Sequence, residues 1–128
     1  MPTDPGRCPF CDIIIGAMPA HRLDRYAGCV AFAPLDPATR GHTLVVPRTH
    51  AVGIWDVSVE AWADTMRIVR HVAGRLRAEF RPDGINVIQS TGVAATQTVE
   101  HLHVHVVPRY AGDAMGPIWP AKEADHDT

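Results

Sequence analysis

The apolar pattern is clearest between residues 59 and 80, where Val59, Trp62, Met66, Val69, Ala73, Leu76 and Phe80 recur at alternating steps of three and four. That spacing lines one face of an α-helix and predicts a single long amphipathic helix. Ser58 or Asp56 stands where it can cap the start, and Pro82-Asp83-Gly84 breaks the helix and turns the chain. Shorter apolar runs at 29–33 and 43–46, separated by the turn-rich segment 34–41, predict two antiparallel strands, the second ended by Pro47. Residues 85–90 read as another strand, 91–98 as a loop of small and polar residues, and 101–107 as a final strand stopped by Pro108. Residues 11–15 predict a short helix closed by Gly16. The ends, 1–7 and 121–128, read as disordered, while Ile118 and Trp119 in the aperiodic segment 112–120 are expected to dock against the protein. Short strands, one long helix and further strands, with no internal repeat, imply an α+β fold built on an antiparallel sheet.

Length agrees with one domain over 1–128: a chain of 128 residues with 46% apolar content can bury one core and is too short for two. A net charge of −2 with no run of Lys and Arg gives no footprint for nucleic acid. No apolar stretch approaches the roughly 20 residues of a membrane span, and the N-terminus lacks the pattern of a secretory signal. The expected location is therefore the cytoplasm, without a membrane partner. Three cysteines, two of them in Cys8-Pro-Phe-Cys11, argue for metal or redox use rather than a disulfide framework. Cys29, among apolar neighbours, reads as a core residue.

The chemistry concentrates in His101-Leu-His-Val-His-Val-Val107. Side chains alternate along a strand, so His101, His103 and His105 are expected on one face, with Leu102, Val104 and Val106 on the other. Neighbouring histidines would stand about 6.5–7 Å apart, a spacing that lets two imidazoles address one phosphate. A neutral imidazole attacks phosphorus and later departs from it, which makes the middle residue, His103, the natural nucleophile. His105 is then the expected partner of the phosphoryl oxygens, helped by the Thr98 hydroxyl and backbone donors of the preceding loop. A polar strand face carrying three histidines without partners would be costly, which disfavours a purely structural reading. His42 either orients this site or is a satisfied structural histidine; His21 and His71 read as solvated.

A second constellation joins Cys8 and Cys11 with His50 and His101, a donor set suited to tetrahedral zinc in a structural role. A redox pair is the competing reading, but no thioredoxin-like βαβ pattern follows the cysteines.

The blocks His101-Leu-His-Val-His-Val-Val-Pro108, Gly41-His-Thr-Leu-Val-Val-Pro-Arg-Thr-His50 and Gln97-Thr-Val-Glu100 together resemble the histidine-triad (HIT) superfamily, over roughly residues 8–120. The resemblance implies a homodimer in which two sheets run into one. It also implies nucleotide hydrolases or transferases whose middle histidine, here His103, attacks the α-phosphorus and forms a covalent nucleotidyl intermediate. On the same carry-over His105, Thr96, Gln97 and Thr98 hold the phosphate, and Phe32 with Leu35 flanks the base. Bacterial relatives with an N-terminal Cys-x-x-Cys bind zinc through residues that fall here on Cys8, Cys11, His50 and His101. Three positions depart from the family pattern. Pro34 stands where an acidic residue usually holds the ribose hydroxyls, with Asp36 as the nearby carboxylate; Ser90 replaces a usual Asn; Thr96 replaces a glycine. The expected substrate is a nucleoside phosphoramidate, phosphate ester or dinucleoside polyphosphate. A nucleotide-binding or sensing module with little turnover, and a zinc-stabilised interaction protein, are the alternatives.

Overall fold

The computed structural model describes residues 8–119, so the two ends expected to be disordered lie outside the described residues. In chain order the elements are α1 (Pro9–Ile14), β1 (His21–Arg25), β2 (Cys29–Ala33), β3 (Thr43–Pro47), α2 (Val59–Phe80), β4 (Gly84–Gln89), a 3₁₀ turn (Val93–Ala95) and β5 (Val104–Arg109). The strands form one five-stranded sheet in the order β1-β2-β3-β5-β4, and every neighbouring pair is antiparallel.

Alternation along the strands splits the apolar residues between two faces. Cys29, Ala31, Val45, Val104 and Val106, with Leu102, pack against Val69, Val72 and Leu76 of α2. Val30, Phe32, Leu44 and Val46 pack on the other face against Phe10 and Ile13 of α1. The register places Phe32 opposite Leu44, Leu44 opposite His105, and His105 opposite Ile88. One cross-strand row therefore carries an aromatic ring, a Leu and a catalytic candidate side by side under α1. β2 and β5 lie two strand spacings apart, about 10 Å.

Pro47 is the last residue of β3, as expected, whereas Pro108 lies inside β5, and backbone geometry explains how the strands accommodate both. The N and C=O of a strand residue face the same neighbour. The Pro47 carbonyl accepts from His101 Nε2 at 2.8 Å, on the side of β5, where the ladder with β3 has already ended. Arg48 N–H then continues the bonding on the other side, to Gly28 O at 3.0 Å. In β5 the Pro108 carbonyl accepts from Thr39 Oγ1 at 2.6 Å, on the side where β3 has stopped, so the missing N–H interrupts no ladder.

The long helix has the predicted bounds, and Ser58 is its cap, accepting from Ala61 N–H at 3.1 Å. Asp56 instead accepts from Val52 N–H at 2.9 Å and Gly53 N–H at 2.8 Å, closing the turn before the helix. Arg81 ends α2 in the left-handed region, φ 50°, immediately before Pro82. The buried stripe is displaced from the predicted one: Val59 is 79% exposed, while Thr65 and Val72 lie at the centre. Thr65 is tolerated there because its hydroxyl donates to Ala61 O at 2.7 Å. The short helix begins at Pro9 rather than at 11, because Cys8 Sγ caps it by accepting from Cys11 N–H.

β1 was not expected from the sequence: it carries no alternating pattern, and its Arg22 and Asp24 are tied to Glu79 and Arg75 of α2 by ion pairs. Ile118 and Trp119 are 37% and 81% exposed on the single chain, and the segment before them is held where Arg109 pairs with Asp113 at 2.8 Å.

Candidate active site and metal centre

The ordered strand begins only at Val104, yet the predicted facing of the histidines holds. His103 and His105 line a cavity on the α1 face, and their rings lean together to a centroid separation of 5.1 Å. This cavity, of about 590 Å³, is walled by Phe10, Ile13 and Met18 on the α1 side and by Phe32, Pro34, Leu35 and Leu44 on the sheet side. Thr98 and Val99 enter from the loop before β5, and His21 from the start of β1.

The hydrogen-bond partners fix which imidazole nitrogens carry protons. His103 Nδ1 lies 2.7 Å from His101 O. A carbonyl oxygen only accepts, so Nδ1 holds the hydrogen and Nε2 keeps a free lone pair. His105 is set through a relay. Ala38 N–H donates to His42 Nδ1 at 3.0 Å, which leaves the His42 hydrogen on Nε2. That nitrogen lies 2.9 Å from His105 Nδ1 and donates to it, so His105 carries its own hydrogen on Nε2. The pair on the cavity wall thus offers one nucleophilic lone pair and one N–H donor.

Burial holds both rings in the uncharged form. It lowers the pKa of His103, and burial followed by repulsion from His103 and His42 pushes His105 down to about 4. His42 is also lowered by burial. Its position follows from the loop 34–42: Gly41 has φ +90°, and a Cβ there would come 2.8 Å from the Phe80 ring. Only glycine lets this loop cross the end of α2 so closely and deliver His42 into β3's approach.

Of the other candidates, Phe32, Leu35 and Thr98 line the cavity, whereas Asp36, Ser90, Thr96 and Gln97 do not. Asp36 is exposed. Gln97 is buried, with its amide fully committed: Oε1 accepts from Gly92 N–H at 2.8 Å, and Nε2 donates to Val52 O at 2.6 Å and Val99 O at 3.0 Å. Its observed contacts hold the loop that carries Thr98. Thr96 sits in the left-handed region at φ 73°, a conformation that is strained for a β-branched residue. Thr96→Gly should therefore raise the unfolding free energy by about 0.5–1 kcal/mol, the relief of strain outweighing the entropy of the added glycine; urea denaturation of both proteins checks this.

The metal candidates converge. One donor atom from each of Cys8, Cys11, His50 and His101 lies within 4.8 Å of all the others. His101 Nδ1 stands 3.2 Å from Cys8 Sγ and 3.5 Å from Cys11 Sγ, and His50 Nδ1 stands 3.3 Å from Cys11 Sγ. A tetrahedral ion with bonds of about 2.0–2.3 Å places its ligands roughly 3.3–3.8 Å apart, so the set fits. His101 donates Nε2–H to Pro47 O, which aims the Nδ1 lone pair at the thiols. Burial and the neighbouring Cys8 push the free Cys11 thiol up to about 11, so ion binding displaces a proton there.

Sequence reasoning missed Phe10. Its ring edge packs on His103 at a centroid distance of 5.1 Å and on Phe32 at 5.4 Å. It stands between the two cysteines, so the segment that supplies metal ligands also supplies the cavity's floor. The signal was the Cys-Pro-Phe-Cys motif itself, because whatever anchors Cys8 and Cys11 must also place the Phe between them.

The HIT domain family model matches residues 16–112. The chain is 35% identical over 120 residues to "Protein hit" of Bacillus subtilis, covering 93% of this chain and 83% of that protein. It is 34% identical over 115 residues to the adenosine 5′-monophosphoramidase hnt1 of Schizosaccharomyces pombe, with 89% of this chain and 84% of that protein covered. Among solved structures, a zinc-bound histidine triad family protein from Mycobacterium smegmatis superposes with a TM-score of 0.79 at 39% identity, over 84% of this chain and 78% of that one.

Proposed function

Because the chain belongs to the HIT domain family, we propose that it is a nucleotide hydrolase working at the α-phosphate through a covalent nucleotidyl-histidine on His103. The observation that carries the reading is the complementary protonation of the two cavity imidazoles, a lone pair on His103 Nε2 beside an N–H on His105. His103 Nε2 forms a bond to phosphorus while the bond from phosphorus to the leaving group breaks; the leaving group takes a proton from solvent, which the attacking water of the second step returns. The positive charge that develops on the imidazole is stabilised by the Nδ1–H bond to His101 O. His105 Nε2–H and the Thr98 hydroxyl hold non-bridging oxygens as charge builds on them. Water then cleaves the N–P bond, releasing the nucleoside monophosphate and restoring the neutral ring. Phe32 and Leu35 flank the base.

The relative named adenosine 5′-monophosphoramidase supports the class of reaction, and the zinc-bound relative supports zinc as the ion at Cys8, Cys11, His50 and His101. Zinc with four protein ligands is structural, tying α1 and the loop at His50 to the start of the catalytic segment. A second copy of the chain is the expected partner. Edge strand β4 presents Ile85 and Val87 to solvent, an arrangement suited to pairing with its equivalent. No helix among the described residues is long and apolar enough to cross a membrane.

Release of nucleoside monophosphate from adenosine phosphoramidate and from a dinucleoside polyphosphate tests the reading. Turnover of either is expected and identifies the leaving group. Binding of both without release would favour the sensing-module alternative.

A further inference from the structure

The cavity wall is chemically lopsided. His103 and His105 stand together, their rings 5.1 Å apart, and Thr98 and His21 supply the other polar side chains of the lining. Everything else that lines it is apolar: Phe10, Ile13, Phe32, Pro34, Leu35 and Leu44 are typical of the rest. Among the described residues no carboxylate and no side-chain amide lines the cavity. Asp12, Asp36 and Glu100 each adjoin a lining residue in sequence, but none of the three lines the wall, and Asp36 is exposed. The buried amide of Gln97 is spent on three protein partners.

A site rejects a substrate lacking a hydroxyl only when a buried polar group of its own would be left unpaired. An apolar wall leaves no such group behind. From this distribution we infer that the cavity does not read the hydroxyls of the sugar: it takes 2′-deoxy- and 2′,3′-dideoxynucleoside 5′-phosphoryl compounds as readily as ribonucleoside ones. The inference deepens the nucleotide reading above and rests on it. Affinity for the nucleoside comes from apolar contact with Phe32, Leu35 and their neighbours, and orientation comes from the phosphoryl end alone. The loss of one hydroxyl removes no contact from such a site, and it spares the desolvation of that hydroxyl against apolar surface.

The test compares adenosine, 2′-deoxyadenosine and 2′,3′-dideoxyadenosine 5′-phosphoramidates by kcat/KM on the wild-type protein. The three corresponding monophosphates are compared in parallel by calorimetric binding. Ratios between ribo and deoxy forms within about tenfold are expected in both measurements, with any bias toward the deoxy form. A preference for the ribo form of about a hundredfold or more in either would overturn the inference. Equal binding of the monophosphates with no turnover of any phosphoramidate would remove the hydrolase reading and leave the unread hydroxyls standing. Neither binding nor turnover would remove both.

Discussion

His103→Ala is expected to lower kcat/KM for nucleotide hydrolysis by on the order of 10⁴-fold or more while leaving the fold intact. The expected size follows from the loss of the imidazole lone pair that stands beside the His105 N–H. His105 presents a hydrogen rather than a lone pair to the cavity, because His42 occupies its Nδ1. Thr98 carries the hydroxyl among the described lining residues, and a free hydroxyl without an adjacent base is a poor nucleophile. The cavity stays apolar and binding of the monophosphate product should persist within about tenfold, since the truncation removes a group that acts mainly in the transition state. The comparison of kcat/KM with product binding checks this: a parallel loss in both would mean that His103 serves binding rather than chemistry.

Removing the zinc proposed at Cys8, Cys11, His50 and His101 carries the second large expected effect. α1 has only six residues, too few to hold together in water without outside support. Its attachments are the apolar contacts of Phe10 and Ile13, the hydrogen bond from Arg25 Nη1 to Ile14 O at 2.8 Å and the donor set at Cys8 and Cys11. Stripping the ion with a chelator should lower the thermal midpoint by on the order of 10 °C, because the binding free energy of a closed four-ligand site is part of the folding free energy. Cys11→Ser should reproduce most of that loss. Activity should fall along with stability, since Phe10 leaves the face of His103 and the His101 carbonyl that fixes the His103 tautomer loses its anchor. Differential scanning calorimetry with and without chelator, followed by zinc readdition, measures it; an unchanged midpoint would show that the apolar contacts and the Arg25 hydrogen bond hold α1 without the ion.

The elements legible from sequence were those whose burial leaves a period. α2 was bounded to the residue because its apolar steps and its Ser58 cap agree, and β2 was bounded because a run of buried residues sits between turns. β1 was invisible for the opposite reason: in His-Arg-Leu-Asp-Arg only Leu23 is apolar. The strand is held at the sheet edge by ion pairs with α2 that join residues more than fifty apart in the chain. Pro108 misled because a proline's effect depends on which neighbour its N faces, a property of register rather than of sequence. At the site, the alternation of histidines marked two residues of the cavity wall, and the Cys-x-x-Cys marked two members of the clustered donor set. The proton relay from Ala38 through His42 to His105 was beyond reach, since it depends on a loop's backbone N–H meeting a ring nitrogen. Gln97 shows the same limit, with a sequence position that suggested phosphate contact and an amide committed to the loop.

The central claim is a covalent bond between phosphorus and His103. The direct measurement is to mix the protein with excess adenosine phosphoramidate, quench within milliseconds in alkali, where a phosphorus–histidine bond survives, and map the adduct by peptide mass spectrometry. The account predicts one added nucleoside monophosphate group, carried on the peptide that contains His103 and absent from His103→Ala. Turnover at an undiminished rate with no adduct at any quench time, or an adduct on His105, would contradict it.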